Sequence, residues 1–449
     1  MGGRHYFPSI VYPPKTMYPL MGEDEFLQGY HDLPENPLLA YVHIPFCDYR
    51  CHFCHFVVRV GASPEEKDLY LDAVEAEIDL YRRRLGLTVL PARAVNVGGG
   101  TATCLSPGQL ERFLRSLCER LDPSCRSQST FDVDPTTLLG PEGLERLRIL
   151  KAHGVDRVTI GAQSFDDGIL KRMGRAHSGK DIAEAVRQAR RAGFGSVAMD
   201  LIYGYPGQTL EGWIVDLETC ISLDVDAFQL YRLRIIPHGA MPGAISRQRP
   251  RESDGLPSFE ATMLMQAAGF LIAAHCGYSD RYTAKVFSKE HLGISRYAEA
   301  HSSELADFLG FGISAFSSLR GKFGINISGD SKKYRSRIRE GRLPIERGKV
   351  RTEDDERRRR LILPLKNGAV DQDSYRRATG TSPQALFGDR ISRLKEFGLL
   401  RENDKSLMLT ERGRFFADEV CLQFYHPQYL PLPESAYKTG PLKPDYKAN

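Results

Sequence analysis

Three of the nine cysteines stand together, Cys47, Cys51 and Cys54, in the segment YVHIPFCDYRCHFCHF. A loop this short lets three sulfurs point inward around one small metal centre. Most four-iron clusters take four cysteines. No fourth is in place here, because position 56 is Phe and the next cysteine is Cys104. Three thiolates on a four-iron cluster leave one iron open, so that a small molecule can complete its coordination. Zinc bound by the three cysteines with His52 or His55 is the chemical alternative, since Cys3His is a common structural site. The remaining cysteines are scattered and the total is odd, which does not describe a disulfide framework. A glycine-rich turn, Gly98-Gly99-Gly100-Thr101, and polar residues farther along, Asp132, Asp134, Gln163 and Asp200, have no part in a structural zinc site. Their presence favours iron and sulfide.

The elements that must position these residues alternate. Short apolar runs, rich in β-branched residues, are expected as strands at 39–44, 93–97, 129–133, 157–160, 197–202 and 227–233. Between them lie stretches of helical period such as SPGQLERFLRSLCERL, which opens on Ser106 as N-cap and Pro107 at N1. Alternation of this kind implies right-handed βαβ units and a parallel sheet with helices outside. The fold class is α/β, and six units suit a partial (β/α)6 barrel, two short of a closed one. On such folds ligands sit at the C-terminal strand ends. Cys47 follows the first strand, Gly98 to Thr101 the second, Gln163 the fourth; Asp132 and Asp134 end the third and Asp200 lies on the fifth. Separate loops converge on one rim.

Length and composition fit a chain of two or three domains. It has 449 residues, 41% hydrophobic and 26% charged, and the net charge of +4 gives no mandate for nucleic acid or anionic membrane. No apolar run approaches a membrane span, and a cytoplasmic protein is expected. The organisation reads as an N-terminal arm or lid over 1–36, the barrel over 37–236, and a barrel extension carrying substrate contacts over 237–350. A mainly helical, winged module follows over 351–426, and a tail over 427–449. Within 237–350, residues 237–256 read as a loop. The basic run ERRRR at 356–360 is expected as a solvated helix face.

The stretch YVHIPFC-x3-C-x-F-C resembles the signature of radical S-adenosylmethionine (SAM) enzymes. It is most similar to the oxygen-independent coproporphyrinogen III oxidase family and its relatives. The similarity continues through NVGGGTAT, FDVDPTT, GAQSF, GRAHS, MDLIYGYPGQT and DFLGFGISAFS, and covers roughly residues 37–426. The resemblance implies that Cys47, Cys51 and Cys54 ligate a [4Fe-4S] cluster whose open iron takes the amino and carboxylate groups of SAM. It implies that Phe53 lies against the adenine and that Gly98, Gly99, Gly100 and Thr101 approach the methionine end. Glycine allows close backbone approach and offers free N–H groups to a carboxylate. Gln163, Arg175 and Asp200 match cofactor-binding positions, and Tyr41 matches a tyrosine beside the cluster. Asp132 stands where the oxidases have Glu. Members of the family can bind a second SAM, which Gly98, Gln163 and the GFGISAF loop (310–316) are candidates to contact.

The implied chemistry is one-electron: the reduced cluster cleaves SAM, and a 5′-deoxyadenosyl radical abstracts hydrogen from a substrate carbon. The cofactor does this chemistry while the protein positions and excludes water and oxygen. Phe56 stands where the oxidases tend to have a further cysteine, Asp132 replaces their Glu, and the N-terminal arm is unlike theirs. On these departures the expected activity is transfer of a methyl or methylene carbon from a second SAM to an unsaturated small molecule. The alternatives are oxidative decarboxylation of coproporphyrinogen, and a haem chaperone of the same fold, for which His55 would be the candidate ligand. A flavodoxin- or ferredoxin-type electron donor and a monomeric state are expected.

Overall fold

The computed structural model describes residues 11–15, 18–29, 38–54, 56–122, 127–233, 255–283, 285–289 and 293–429. His55, the loop read over 237–256 as far as 254, and residues 430–449 of the tail lie outside the described residues.

Six strands are β1 (Leu38–Ile44), β2 (Ala92–Gly99), β3 (Gln128–Val133), β4 (Arg157–Gln163), β5 (Ser196–Tyr203) and β6 (Ala227–Arg232). They pair in parallel in sequence order. Their sequences are near-continuous apolar runs because both faces are covered, as parallel sheets require. In β1 every residue but Tyr41 is buried. The crossovers are α1 (Pro64–Arg84), α2 (Pro107–Arg120), α3 (Gly140–Ala152), α4 (Asp167–Arg172), α5 (Gly179–Arg191) and α6 (Leu210–Ser222). Ser106 caps α2 in a capping box with Gln109, and Ser178 caps α5 with Asp181. Aromatic and aliphatic side chains from both layers, Trp213 and Phe113 among them, form one core.

The barrel does not close. After α7 (Phe259–His275), β7 (Ser279–Thr283) and β8 (Val286–Ser288) continue the sheet antiparallel beyond β6. Beyond α8 (Arg296–Ser302), β9 (Phe308–Phe311) joins the other edge, parallel to β1. β10 (Phe316–Leu319), β11 (Lys322–Asn326) and, after α9 (Ser331–Arg339), β12 (Ile345–Val350) extend it antiparallel to twelve strands. Helix α10 (Glu353–Lys366) then leads into a separate apolar cluster with a three-stranded wing of residues 369–371, 400–402 and 406–409. The N-terminal segment bridges these units. Tyr12 is buried against Tyr425 and Tyr429 of the C-terminal module, whereas Tyr18 stacks on Phe323 of β11.

One expectation is corrected. The ERRRR run is not simply a solvated face: Arg359 is 2% exposed, and Arg358 donates to the Phe424 carbonyl at 2.8 Å. The helix carries these side chains into the seam between barrel and module.

A buried carboxylate ties the two edges of the β1 region together. Glu77 of α1 accepts from the Gly312 N–H at 2.7 Å, the Tyr334 hydroxyl at 2.6 Å and Asn326 Nδ2 at 2.7 Å. Burial pushes its carboxyl up to about 8 against these three donors. Tyr70, two turns earlier on the same helix, donates to the His43 carbonyl at 2.6 Å and accepts from the Ile313 N–H. The 310–316 loop is thereby clamped beside β1. Replacing Glu77 by Leu strips the Gly312 N–H and the Tyr334 hydroxyl of their acceptor and leaves Asn326 Nδ2 only its carbonyl contacts, and is expected to cost roughly 3 kcal/mol or more. Urea unfolding of that variant at wild-type stability would contradict this account of the clamp.

Candidate functional site

The cysteine loop is pinned to the rim by backbone bonds. The Gly100 N–H donates to the Ile44 carbonyl and the Thr101 N–H to the Phe46 carbonyl, both at 2.7 Å. Residues 46–47 form a short parallel bridge with 59–60, which closes the loop on itself. Thr101 Oγ1 then lies 3.7 Å from Cys47 Sγ. The glycines are required by their neighbours. A Cβ at Gly99, where φ is +108°, would meet the His43 ring at 2.4 Å. At Gly98 it would lie 2.2 Å from Asp132 Oδ2, and at Gly100 2.5 Å from the Phe46 carbonyl oxygen.

All three cysteines are free and half-buried. Burial raises the Cys47 thiol to about 12 and Cys54 to about 11. A bound metal centre must therefore supply the energy that makes them thiolates. Two cations act on them: Arg175 Nη1 donates to Cys51 Sγ at 3.1 Å, and the Arg50 charge as well as that of Arg175 favours the Cys54 thiolate. The Arg175 guanidinium pairs with Asp134 Oδ2 at 2.8 Å and donates to the Gly161 carbonyl at 2.6 Å. Tyr49, inside the cysteine loop, donates to Asp134 Oδ2 at 2.6 Å, and the Thr136 N–H donates to Oδ1. Burial alone would raise the Asp134 carboxyl, but Arg175, Tyr49 and Thr136 together hold it below its ordinary value.

Phe53, between two cysteines, packs on an apolar wall of Ile169, Met173, Ile202, Tyr205 and Leu233, from α4 and the ends of β5 and β6. His52 is engaged with the fold, its Nδ1 2.7 Å from the Arg172 carbonyl oxygen. Among the described residues no three His, Cys, Asp or Glu side chains converge on one metal-ion position. The three thiols, with Arg175 donating to Cys51, have the chemistry of a thiolate-ligated centre whose negative charge a cation offsets.

Deeper in the barrel lies a second polar group. Asp132 on β3 and Asp200 on β5 both lie within electrostatic reach of Arg157, at the start of β4. Burial raises Asp132 to about 6, while Arg157 and hydrogen bonds from Asn96 and Thr159 oppose that rise. Burial and the Asp132 charge raise Asp200 to about 7. Desolvation and the charges of Asp200 and Asp132 push the Tyr231 phenol on β6 above its ordinary range, although the residue as a whole is 42% exposed. Gln163 ends β4 at φ +72°, a strained conformation for a residue with a side chain. The Tyr41 hydroxyl donates to His43 Nδ1 at 3.1 Å, and His43 Nε2 donates to the Val57 carbonyl at 3.1 Å, beyond the cysteine loop.

The structure brings Cys47, Cys51, Thr101 and Arg175 together at the rim, and Gly98, Asp132 and Asp200 below them. Sequence reasoning noted Asp134 only as a strand-end residue and passed over Tyr49, Arg157 and Tyr231. A second acid two residues after Asp132, in FDVDP, was the available signal for Asp134; Tyr49 and Arg157 gave none, because their partners lie far away in sequence.

Such a site, a three-cysteine loop beside an apolar wall at the rim of an open barrel, defines an α/β barrel with a candidate metal centre at its strand ends. The radical SAM superfamily model matches residues 41–220, and the HemN C-terminal domain model matches residues 352–416. The haem chaperone HemW of Bacillus subtilis is 29% identical over 85% of this chain and 97% of its own. The oxygen-independent coproporphyrinogen III oxidase of Escherichia coli is 28% identical over 92% of each chain. The solved structure of the Escherichia coli oxidase HemN, a radical SAM enzyme, superposes with a TM-score of 0.80 at 26% identity, covering 93% of this chain and 96% of that one. This chain belongs to the radical SAM superfamily, in the family of the oxygen-independent coproporphyrinogen III oxidases and HemW; membership implies a [4Fe-4S] cluster and SAM.

The expected methyl or methylene transfer is corrected by these relationships. Proteins related over nearly the whole chain are oxidases and haem chaperones. Two of the three departures that suggested transfer have local accommodations: the shorter Asp132 is hydrogen-bonded by Asn96 and Thr159, and the N-terminal segment packs across β11 and the C-terminal module. No described helix is long and apolar enough to cross a membrane.

His43 offers a test of the rim's electrostatics. Burial lowers its pKa from the usual 6.5 to about 4, so the folded state keeps it neutral. The unfolded chain takes up the proton first, and the stability due to the neutral ring is lost as pH falls from 6.5 toward 4. That loss is roughly 3 kcal/mol. His43→Gln is expected to flatten the decline in unfolding free energy over this interval, and an unchanged slope would contradict the assignment.

Proposed function

We propose that this protein is a radical SAM oxidase that oxidatively decarboxylates propionate side chains of a porphyrinogen. The observation that carries this reading is the superposition on HemN over 93% of the chain. In this reading Cys47, Cys51 and Cys54 hold the cluster, and Arg175 offsets its negative charge through Cys51. Phe53 and its apolar wall take the adenine. The Gly98–Thr101 edge and Gln163 lie along the methionine end, and Asp132 and Asp200 face polar groups of SAM from below. Tyr41 supports the cysteine loop through His43. Bound together, the cluster and SAM supply one-electron cleavage of the sulfonium and hydrogen abstraction. The protein's own work is to bind, orient and keep water out of the barrel. A second SAM, placed between Gln163 and the clamped 310–316 loop, belongs to the same proposal, as does an electron donor of flavodoxin or ferredoxin type.

A second reading, haem chaperone, is favoured by the match to HemW over 97% of that protein's length. Anaerobic incubation of the reconstituted protein with SAM, a reductant and coproporphyrinogen separates the two. The oxidase reading expects vinyl products, carbon dioxide and 5′-deoxyadenosine. Stable haem binding with no deoxyadenosine formed would overturn it. Cys47→Ala, Cys51→Ala and Cys54→Ala are each expected to abolish the brown chromophore and SAM cleavage, and Cys104→Ala to leave both intact. Equal loss on changing Cys104 would overturn the ligand set.

A further inference from the structure

At the opposite end of the barrel from the cysteines, a cleft of about 640 Å³ lies between the N-terminal edge of the sheet and α10. Its lining is dominated by charge, and the charges do not cancel. Arg359 lies in its wall at 2% exposure. A guanidinium carries five N–H donors in a rigid fork. Among the described residues this one makes a single side-chain hydrogen bond, from Nη2 to the Leu305 carbonyl at 3.3 Å. Its Nε has no partner, and its nearest carboxylate, Glu356, is 3.7 Å away.

The surrounding acids are committed elsewhere. Glu356 is paired at 2.8 Å with Arg351 and at 2.8 Å with Arg360. Glu304 pairs with Arg93 at 2.6 Å, and Glu353 pairs with Arg357 along its own helix. Asp307 accepts from the Arg320 N–H, and burial raises its carboxyl above the ordinary value. Burial and the neighbouring Arg351 in turn depress the Arg359 guanidinium to about 10. A buried cation whose nearest carboxylate, at 3.7 Å, is held more closely by two other arginines is costly unless a ligand completes it.

We propose that this cleft is an oxyanion-binding site, in which Arg359 and Arg360 grip a phosphate or carboxylate group of a small ligand. Planar guanidinium forks match both groups in bidentate fashion. The site is separate from the SAM barrel, because Arg93 and Asp307 stand at the strand starts of β2 and β9 and the cysteines lie beyond the strand ends. The ligand is therefore not the molecule that reacts at the cluster. The site holds whether the protein is an oxidase or a chaperone.

The test is calorimetric titration of the full chain with inorganic phosphate and, in separate arms, citrate and ATP, at constant ionic strength set with sodium chloride. Saturable binding of one anion per chain is expected. Arg359→Met should weaken it at least tenfold, and Arg360→Gln, a change at a partly exposed side chain, severalfold. Circular dichroism of both variants reports whether they fold, and Arg360→Gln decides the matter if Arg359→Met does not. Preference for phosphate and ATP over citrate identifies a phosphate ligand, and the reverse a carboxylate ligand. Heats no larger than those of chloride, or wild-type affinity in the folded variants, would overturn the proposal.

Discussion

Arg175 holds a thiol and a carboxylate at the same time. It reaches Cys51 from one side and Asp134 from the other, and Tyr49 closes the circuit from inside the cysteine loop. A buried charge pair of this kind is costly unless most of its remaining donors and acceptors are satisfied, and Arg175 Nε is the one donor left without a partner among the described residues. Here the Gly161 carbonyl and the Thr136 N–H supply two of those contacts. The consequence reaches beyond stability, because this pair adds a side-chain contact at Cys51 to the backbone bonds that pin the loop. Strands β3 and β4 and the turn after α4 together set where Cys51 points.

The glycine turn is the complementary constraint. Gly98, Gly99 and Gly100 are fixed by Asp132, His43 and the Phe46 carbonyl, so β2 and the cysteine loop approach closely at backbone level. His43 fills the space above Gly99 while relaying the Tyr41 hydroxyl to the Val57 carbonyl. Desolvation keeps that histidine neutral and raises Asp132 and Asp200.

Much of this was legible in the residues. The six apolar runs gave the parallel order because each is buried on both faces, and Ser106 with Pro107 marked a helix start where one occurs. The cysteine spacing and the strand-end positions of Gly98, Gln163 and Asp200 located the rim. What periodicity missed depends on distant partners. β9 is only four residues long and joins β1 across the chain, and Glu77 meets Asn326 and Tyr334 about 250 positions away. The basic run on α10 looked solvated because its amphipathic pattern does not reveal which neighbour covers it. The reaction subclass was misread because single substitutions near a site, Asp132 and Phe56, weigh less than relatedness across the chain.

The central claim is that three cysteines on one loop hold a four-iron cluster with one iron free for SAM. Electron paramagnetic resonance of the anaerobically reconstituted, reduced protein tests it most directly, with iron, sulfide and zinc measured on the same sample. The account predicts a [4Fe-4S]⁺ signal whose g-values shift when SAM is added, as ligation at an open iron demands. A sample carrying zinc without iron, or a cluster signal indifferent to SAM, would contradict it.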